Sequence, residues 1–308
     1  MVKYRKAKEK RAKDMKKDAV NQMETTQVKK PFYKKWWIWI ILLVIIISIG
    51  LAAWYYQIKL PHDTAVSEYN SSVEYVNGKN SELDMVIDSA KNVINSGSNP
   101  YDIGTITNVE YAIAEAQNAR REIPENVPSA TDEIISKAKE LKKDLDYSLV
   151  MTNIEENVIA LENSIRQLEQ ITNPAESFVI ERLKEIDGVE DLQAVTEDND
   201  PNGNLNKAGG YTSTVYFTHS LVDKDSPEVI GDTVVEKGTL GGGAIEVYAN
   251  EDDANKRNDY LSEFDGTLFN SGSHVVIGTI VIRTSDLLTA SQQNELTEQI
   301  KAKMIELR

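Results

Sequence analysis

The chain reads as a membrane-anchored protein assembled in series: a single transmembrane helix, an antiparallel helical bundle or coiled-coil stalk, then an α+β sandwich domain. Three observations predict this. Residues 36–56, WWIWIILLVIIISIGLAAWYY, carry no charge over 21 positions. Apolar residues from Val66 to Ile94 recur every three and four positions. Beyond residue 173 that period gives way to β-branched and aromatic runs separated by Gly, Asn and Asp turns.

The apolar stretch is the organising element. As a helix its 21 residues reach about 31 Å, the thickness of a bilayer's hydrocarbon core. Trp36, Trp37 and Trp39 at one end, and Trp54, Tyr55 and Tyr56 at the other, suit the two headgroup layers. Net charge is −15 over 308 residues, split as +9 in residues 1–35 and −24 beyond. Bases beside a span stay cytoplasmic, so the N-terminus is expected inside and residues 57–308 outside. The rival is a cleaved signal peptide, with Gly50-Leu51-Ala52 as the small residues. Its basic region would be unusually long, and its apolar core would exceed the usual run.

The chain holds no Cys, so no lipid attaches after the run and no disulfide framework braces the outer part. That usage fits a bacterial surface better than a eukaryotic one. The Lys-rich arm, residues 1–35, has too few apolar residues to bury a core. It reads as a topology signal that holds anionic headgroups of the lipid bilayer. It lacks the interleaved aromatics of a nucleic-acid tail, so no nucleic-acid partner is expected.

Residues 57–172 form the expected stalk. Pro61 should break or kink the helix leaving the membrane. Val66, Tyr69, Val73, Val76, Asn80, Leu83, Ile87, Ala90 and Ile94 then make a heptad seam. Asn80 on that seam either fixes register and partner number or marks a weak turn facing water beside Gly78. SGSNP (96–100) ends this helix. A second stripe runs through Ile106, Val109, Ile113, Ala116, Ala119 and Ile123. A third, from Ile134 to Leu168, slips phase between Leu145 and Met151 and is read as one 43-residue helix with a rotating seam. Short loops favour an antiparallel three-helix bundle, with an oligomeric coiled coil as the alternative.

Residues 173–308 form the terminal domain. Asn173-Pro174-Ala175-Glu176 opens a helix that Gly188 stops. Strands are expected at 192–196, 211–219 and 240–249, with a short one at 232–237. Asn250 caps a helix whose first turn is acidic. HVVIGTIVIRT (274–284) is the most apolar run and is expected to be a single central strand. Thr289 and Gln292 open the last helix. The order suggests one sheet with helices on one face.

Within this domain Asp200-Pro201-Asn202, Leu205, Lys207 and Gly210-Tyr211-Thr212 are followed by a Gly-rich strand, a helix with Ala254 and Arg257, and an apolar strand. This pattern resembles a domain of surface proteins of Gram-positive bacteria, some labelled EbhA-like and others secreted lipoproteins. The resemblance covers about the last 120 residues. It implies an extracellular bacterial location and brings no activity with it.

Several residue sets invite chemistry. Asp198, Asp200, Asn202, Gly203 and Asn206 follow the spacing of a calcium loop, but position twelve is Gly209 where a bidentate Glu belongs. An Asx/Pro turn explains the same residues, and calcium is the rival. No other cofactor is expected. Lys207, Tyr211 and Arg257, with Arg283, could line a basic cleft for an anionic envelope polymer or a peptide carboxylate. Gly241-Gly242-Gly243 precedes a strand rather than a helix, so it reads as a turn or bulge. His219 and His274 sit at strand ends without a nucleophile motif beside them. The reading is a cell-surface interaction module of unnamed ligand, with a polymer or protein partner and oligomerisation through the stalk open. The alternative is a cell-envelope enzyme or enzyme accessory with a polar cleft. A deep pocket with perturbed ionisable groups would favour the enzyme. An open or apolar patch would favour the binding module.

Overall fold

The computed structural model describes residues 9–16, 36–267 and 272–308. Most of the 1–35 arm therefore lies outside the described residues, although 9–16 are helical. Helix α1 spans Trp36–Trp54, a π-helical turn covers Tyr55–Lys59, and α2 spans Leu60–Ile94. The most apolar window of the continuous helix Trp36–Ile94 has mean hydropathy 2.6, and none of that window is buried. This is one helix long and apolar enough to cross a membrane.

Of the two outcomes expected at Pro61, a break does not occur, and the helix is instead distorted into a π-helical turn just before it. Trp36–Ile94 is a single helix of 59 residues. The Leu60 N–H donates to the Tyr55 carbonyl, five residues back. That wider turn relieves the clash that a proline ring makes with the carbonyl four residues earlier.

The described chain forms two compact units. One takes the described residues up to Val73 together with Pro124–Leu141, and the other takes Glu74–Ile123 with the described residues from Lys142 onward. In the first unit, Ala65 and Tyr69 of α2 are buried, as are Ile134, Ala138 and Leu141 of α4 (Thr131–Lys142). His62 Nδ1 meets Thr131 Oγ1 at 3.1 Å.

Along α2 the buried positions are Ala65, Tyr69, Ser72, Val76, Asn80, Leu83, Ile87 and Ala90. From Val76 onward they follow the expected seam. Before it, Ala65 and Ser72 replace Val66 and Val73, because two consecutive four-residue steps (72, 76, 80) rotate the stripe.

The second unit joins a helical layer to the sheet domain. Its helical part packs Leu83, Ile87 and Ala90 of α2 against Val109, Ala112, Ile113 and Ala116 of α3 (Gly104–Ala119). Tyr147, Ile154 and Leu161, at and within α5 (Ser148–Gln170), complete that core. The expected 43-residue third helix is in fact two helices, α4 and α5. Asp144 turns the chain at φ 49°, and the Asp146 carboxylate accepts the Ser148 N–H at 2.9 Å. The phase slip between Leu145 and Met151 is thus a chain break rather than a rotating seam.

Asn80 settles differently from both expectations. It is 2% exposed. Its Nδ2 donates to the Arg121 carbonyl at 2.9 Å, and its Oδ1 accepts the Tyr147 hydroxyl at 2.7 Å. The Arg121 N–H in turn donates to that hydroxyl at 2.7 Å. The polar seam residue is satisfied within the chain.

Five antiparallel strands make the sheet in the order β1-β2-β3-β5-β4. They are β1 (Val189–Ala194), β2 (Tyr211–His219), β3 (Gly242–Tyr248), β4 (His274–Ile277) and β5 (Ile280–Thr284). The 274–284 run is a hairpin rather than one central strand. Gly278 adopts φ 54° in a two-residue turn, which is a hairpin signal inside an apolar run. β5 lies beside β3, and β4 becomes the edge. Residues 234–237 form a short helix, α7 (Val234–Lys237), instead of a strand. Thr233 and Glu236 close a capping box there.

Period-two alternation sends Val215, Phe217, Ile245, Val247, Ile280 and Ile282 to one face. That face is covered by α6 (Glu176–Leu183) and α9 (Ala290–Ile305), through Val179, Leu183, Leu296, Ile300 and Met304. Tyr211, Tyr216, Ala244, Tyr248 and Val281 point the other way, toward Ala254 and Leu261 of α8 (Glu251–Ser262). Helices therefore lie on both faces, not on one. β2, β3 and β5 are buried along almost their whole length, so both of their faces need a cover.

The α5 end is built into this domain. Ile171 is fully buried in its core. The Ile171 carbonyl accepts the Thr279 N–H at 3.2 Å. Gln170 Nε2 donates to the Met304 carbonyl at 2.6 Å.

Candidate functional site

The expected calcium loop is organised around Asp200 by donors. Its Oδ1 accepts the Asn202 N–H at 3.0 Å and the Tyr211 hydroxyl, and its Oδ2 accepts the Leu205 N–H at 2.8 Å. Asn206 sits at φ 56°, and its N–H donates to the Tyr211 carbonyl at 2.9 Å. Partial burial pushes the Asp200 carboxyl up, but the Tyr211 hydroxyl and the loop N–H groups outweigh it and hold the carboxyl below its usual range. A carboxylate saturated with donors is the Asx/Pro-turn arrangement. Among the described residues, no group of three or more His, Cys, Asp or Glu is placed to hold a metal ion. Asp198 takes no part in the Asp200 bonds.

The expected basic cleft of Lys207, Tyr211 and Arg257 is not formed. Tyr211 is committed to Asp200. Arg257 and Arg283 are both drawn to Glu246, which stands on β3 between α8 and β5 and is completely buried. Its Oε2 accepts Arg257 Nε at 2.8 Å and the Tyr248 hydroxyl at 2.9 Å. Its Oε1 accepts Arg257 Nη2 at 3.0 Å and Arg283 Nη1 at 2.9 Å. Four charge-assisted or hydroxyl bonds fill the carboxylate. Burial alone would raise Glu246, yet the charge of Arg283 and the bonds from Arg257 hold it below the usual range. Burial and the adjacent Glu246 push the Tyr248 hydroxyl far up.

Lys207 has its ammonium 3.6 Å from where a Cβ on Gly203 would lie, and it makes no ion pair with Glu246, which bonds to Arg257 and Arg283. The sequence reading overlooked Glu246. Its signal was an acid in a strand apolar on both faces, with arginines on the neighbouring elements.

The histidines are structural. His219 is 5% exposed. Its Nδ1 accepts the Leu221 N–H at 3.2 Å, which leaves Nε2 as the protonated nitrogen facing the Asp187 carbonyl at 3.2 Å. Burial pushes its pKa down. It borders a small polar cavity of 190 Å³ with Glu190, Asp191, Lys224 and Lys237, but has no free lone pair to use there. His274 faces Asn258 Oδ1 at 2.7 Å and Asp265 Oδ1 at 3.3 Å. The glycine run serves packing: a Cβ on Gly243 would lie 2.3 Å from the Arg283 carbonyl oxygen and 2.4 Å from the Phe217 ring.

Among the open surfaces of the described residues is a groove at the end of the sheet. Two cavities of 780 and 440 Å³ share Asn99, Leu168 and Glu251. The 95–103 connection, the α5 end, the first turns of α8, the β4–β5 hairpin and Lys301 of α9 supply its walls. Tyr101, Ile103 and Leu168 give it apolar surface, and Ile103 is 71% exposed. Asp102, Glu169 and Glu251 give it negative charge, while its Lys301 is held by Glu298 at 2.9 Å. No sequence signal predicts this site, because its walls come from five separated stretches. Comparison with known proteins brings no analogy to bear, since no family model, curated protein or solved structure matches the chain.

Proposed function

We propose that this chain is a single-pass membrane protein, with a cytoplasmic N-terminus, whose residues 57–308 act outside the cell as a non-enzymatic binding module. The observation that carries the reading is the division of its polar groups. Three strongly displaced ionisable groups, Tyr211, Tyr248 and Arg257, are spent on Asp200 and Glu246 inside the fold. The surface instead offers an open groove with apolar and acidic walls. Catalysis wants a displaced group facing a cleft, whereas binding wants the second arrangement. The unburied apolar helix supports the anchor, and the +9 arm supports the orientation. On this reading the envelope is that of a Gram-positive bacterium, as the Asp200–Thr212 pattern implies.

Two measurements test it. Protease added to intact protoplasts should remove residues beyond 57 and spare the arm; a C-terminal reporter active only in cytoplasm rejects the topology. The detergent-solubilised full chain, incubated with the producing cell's envelope fraction, should retain a component reproducibly. If nothing is retained, the binding reading fails.

A further inference from the structure

The groove meets the sheet edge at the turn end of β4. β4 is the last strand in the sheet order, and its Val276 and Ile277, with Gly278, line the groove. The hairpin register decides which backbone groups are spent. The Thr284 N–H donates to the Ser273 carbonyl at 2.9 Å, and Val275 faces Ile282 while Ile277 faces Ile280. In an antiparallel pair, hydrogen-bonded residues alternate with non-bonded ones. Ser273, Val275 and Ile277 therefore bond to β5. His274 and Val276 turn their N–H and C=O groups to the outer edge, where no further strand pairs among the described residues.

From this placement we propose that the groove binds an extended, basic polypeptide segment, which adds to the sheet as a strand beside β4. This rests on the binding-module reading and names the ligand class of its groove. Main-chain bonds to His274 and Val276 would supply sequence-independent affinity, as strand addition does elsewhere. Alternate side chains of the added strand point to opposite faces. One set meets Tyr101 and Leu168, and the other meets the first turns of α8. Lysine or arginine in the segment finds Glu169 and Glu251, beside which the groove holds, among the described residues, no cation except the Lys301 already paired with Glu298. An acidic segment is excluded by the same charges. A second copy of this chain is disfavoured too, since residues beyond 35 carry a net −24.

The experiment uses the full chain in nanodiscs and three acetylated octapeptides: one alternating Lys and Val, its Glu and Val twin, and the Lys and Val peptide N-methylated at every second residue. Hydrogen exchange at the His274 and Val276 amides and fluorescence anisotropy are the readouts. The Lys–Val peptide should slow exchange at both amides. Glu169→Lys with Glu251→Lys should weaken its binding about tenfold, the effect of reversing two surface charges. Exchange elsewhere in the sheet of this variant reports that it remains folded. The Glu–Val peptide should not bind, and N-methylation should abolish the amide protection.

Equal protection by the N-methylated peptide overturns strand addition. Equal binding of the acidic twin, or of the double variant, overturns the charge selection. No protection at millimolar peptide overturns the proposal as a whole. An envelope component retained equally by the wild-type chain and the Glu169→Lys/Glu251→Lys variant would leave the binding-module reading intact and remove this groove from it.

Discussion

Replacing Glu246 by Gln tests the account of the buried cluster most directly. The carboxylate is fully buried and accepts four hydrogen bonds from three side chains. Gln keeps the shape but offers one accepting oxygen, and its NH₂ group must face a donor from Arg257 or Arg283. Two arginines with side chains 17% and 9% exposed then lose their counter-charge. Breaking a buried ion pair from one side costs about 3–5 kcal/mol. For a unit of this size, that lowers the melting temperature by about 10 °C.

Tyrosine near-UV circular dichroism is the assay, because the four Trp residues all lie at 36, 37, 39 and 54 and are silent about the domain. The sign with pH follows from the same bonds. Glu246 is held below its ordinary value, so its contribution is complete above the unfolded carboxyl pKa and is lost as pH falls through the folded one. The difference between wild type and Glu246→Gln should shrink on acidification. A loss under about 1 kcal/mol, far below the usual cost of an unpaired buried charge, or a difference that grows in acid, would refute the reasoning.

Three further outcomes are expected. Asn80→Leu leaves the Arg121 carbonyl and the Tyr147 hydroxyl short of a partner inside the helical core, and should cost about 1–3 kcal/mol. Urea unfolding measures the loss, and light scattering should show no change of oligomeric state, since the Asn80 bonds are made within one chain. Asp200→Asn removes the charged acceptor at the 198–210 loop. It should speed hydrogen exchange at Leu205 and Asn202, and wild type should approach the variant's rates as pH falls through the lowered Asp200 pKa. Millimolar calcium should not restore them. Gly243→Ala should destabilise the sheet by about 1–3 kcal/mol, the usual cost of overpacking. Thermal unfolding checks it, and an unchanged midpoint would contradict the close approach of Arg283 and Phe217.

How much could be read from residues alone follows from the range of the interactions involved. The unburied helix at 36–54, the caps at Asn250 and Thr289, and the strand 211–219 depend on neighbours within a few positions. Side-chain period, capping pairs and the absence of charge are written into that range. The hairpin at Gly278-Thr279 was legible too, but its apolar flanks masked the turn.

Tertiary contact decided the rest. Arg257 and Arg283 look like a cationic site until β3 brings Glu246 between them, and a buried carboxylate captures any guanidinium within reach because neither charge has water to fall back on. Asn80 looks like a device between chains until Tyr147 and Arg121 arrive from positions far along the chain to satisfy it. The groove exists only where five distant stretches converge at the turn end of β4. Local pattern specifies which face of a helix or strand is apolar. Which charges meet, and which backbone groups stay unpaired, depends on the order in which the strands are laid side by side.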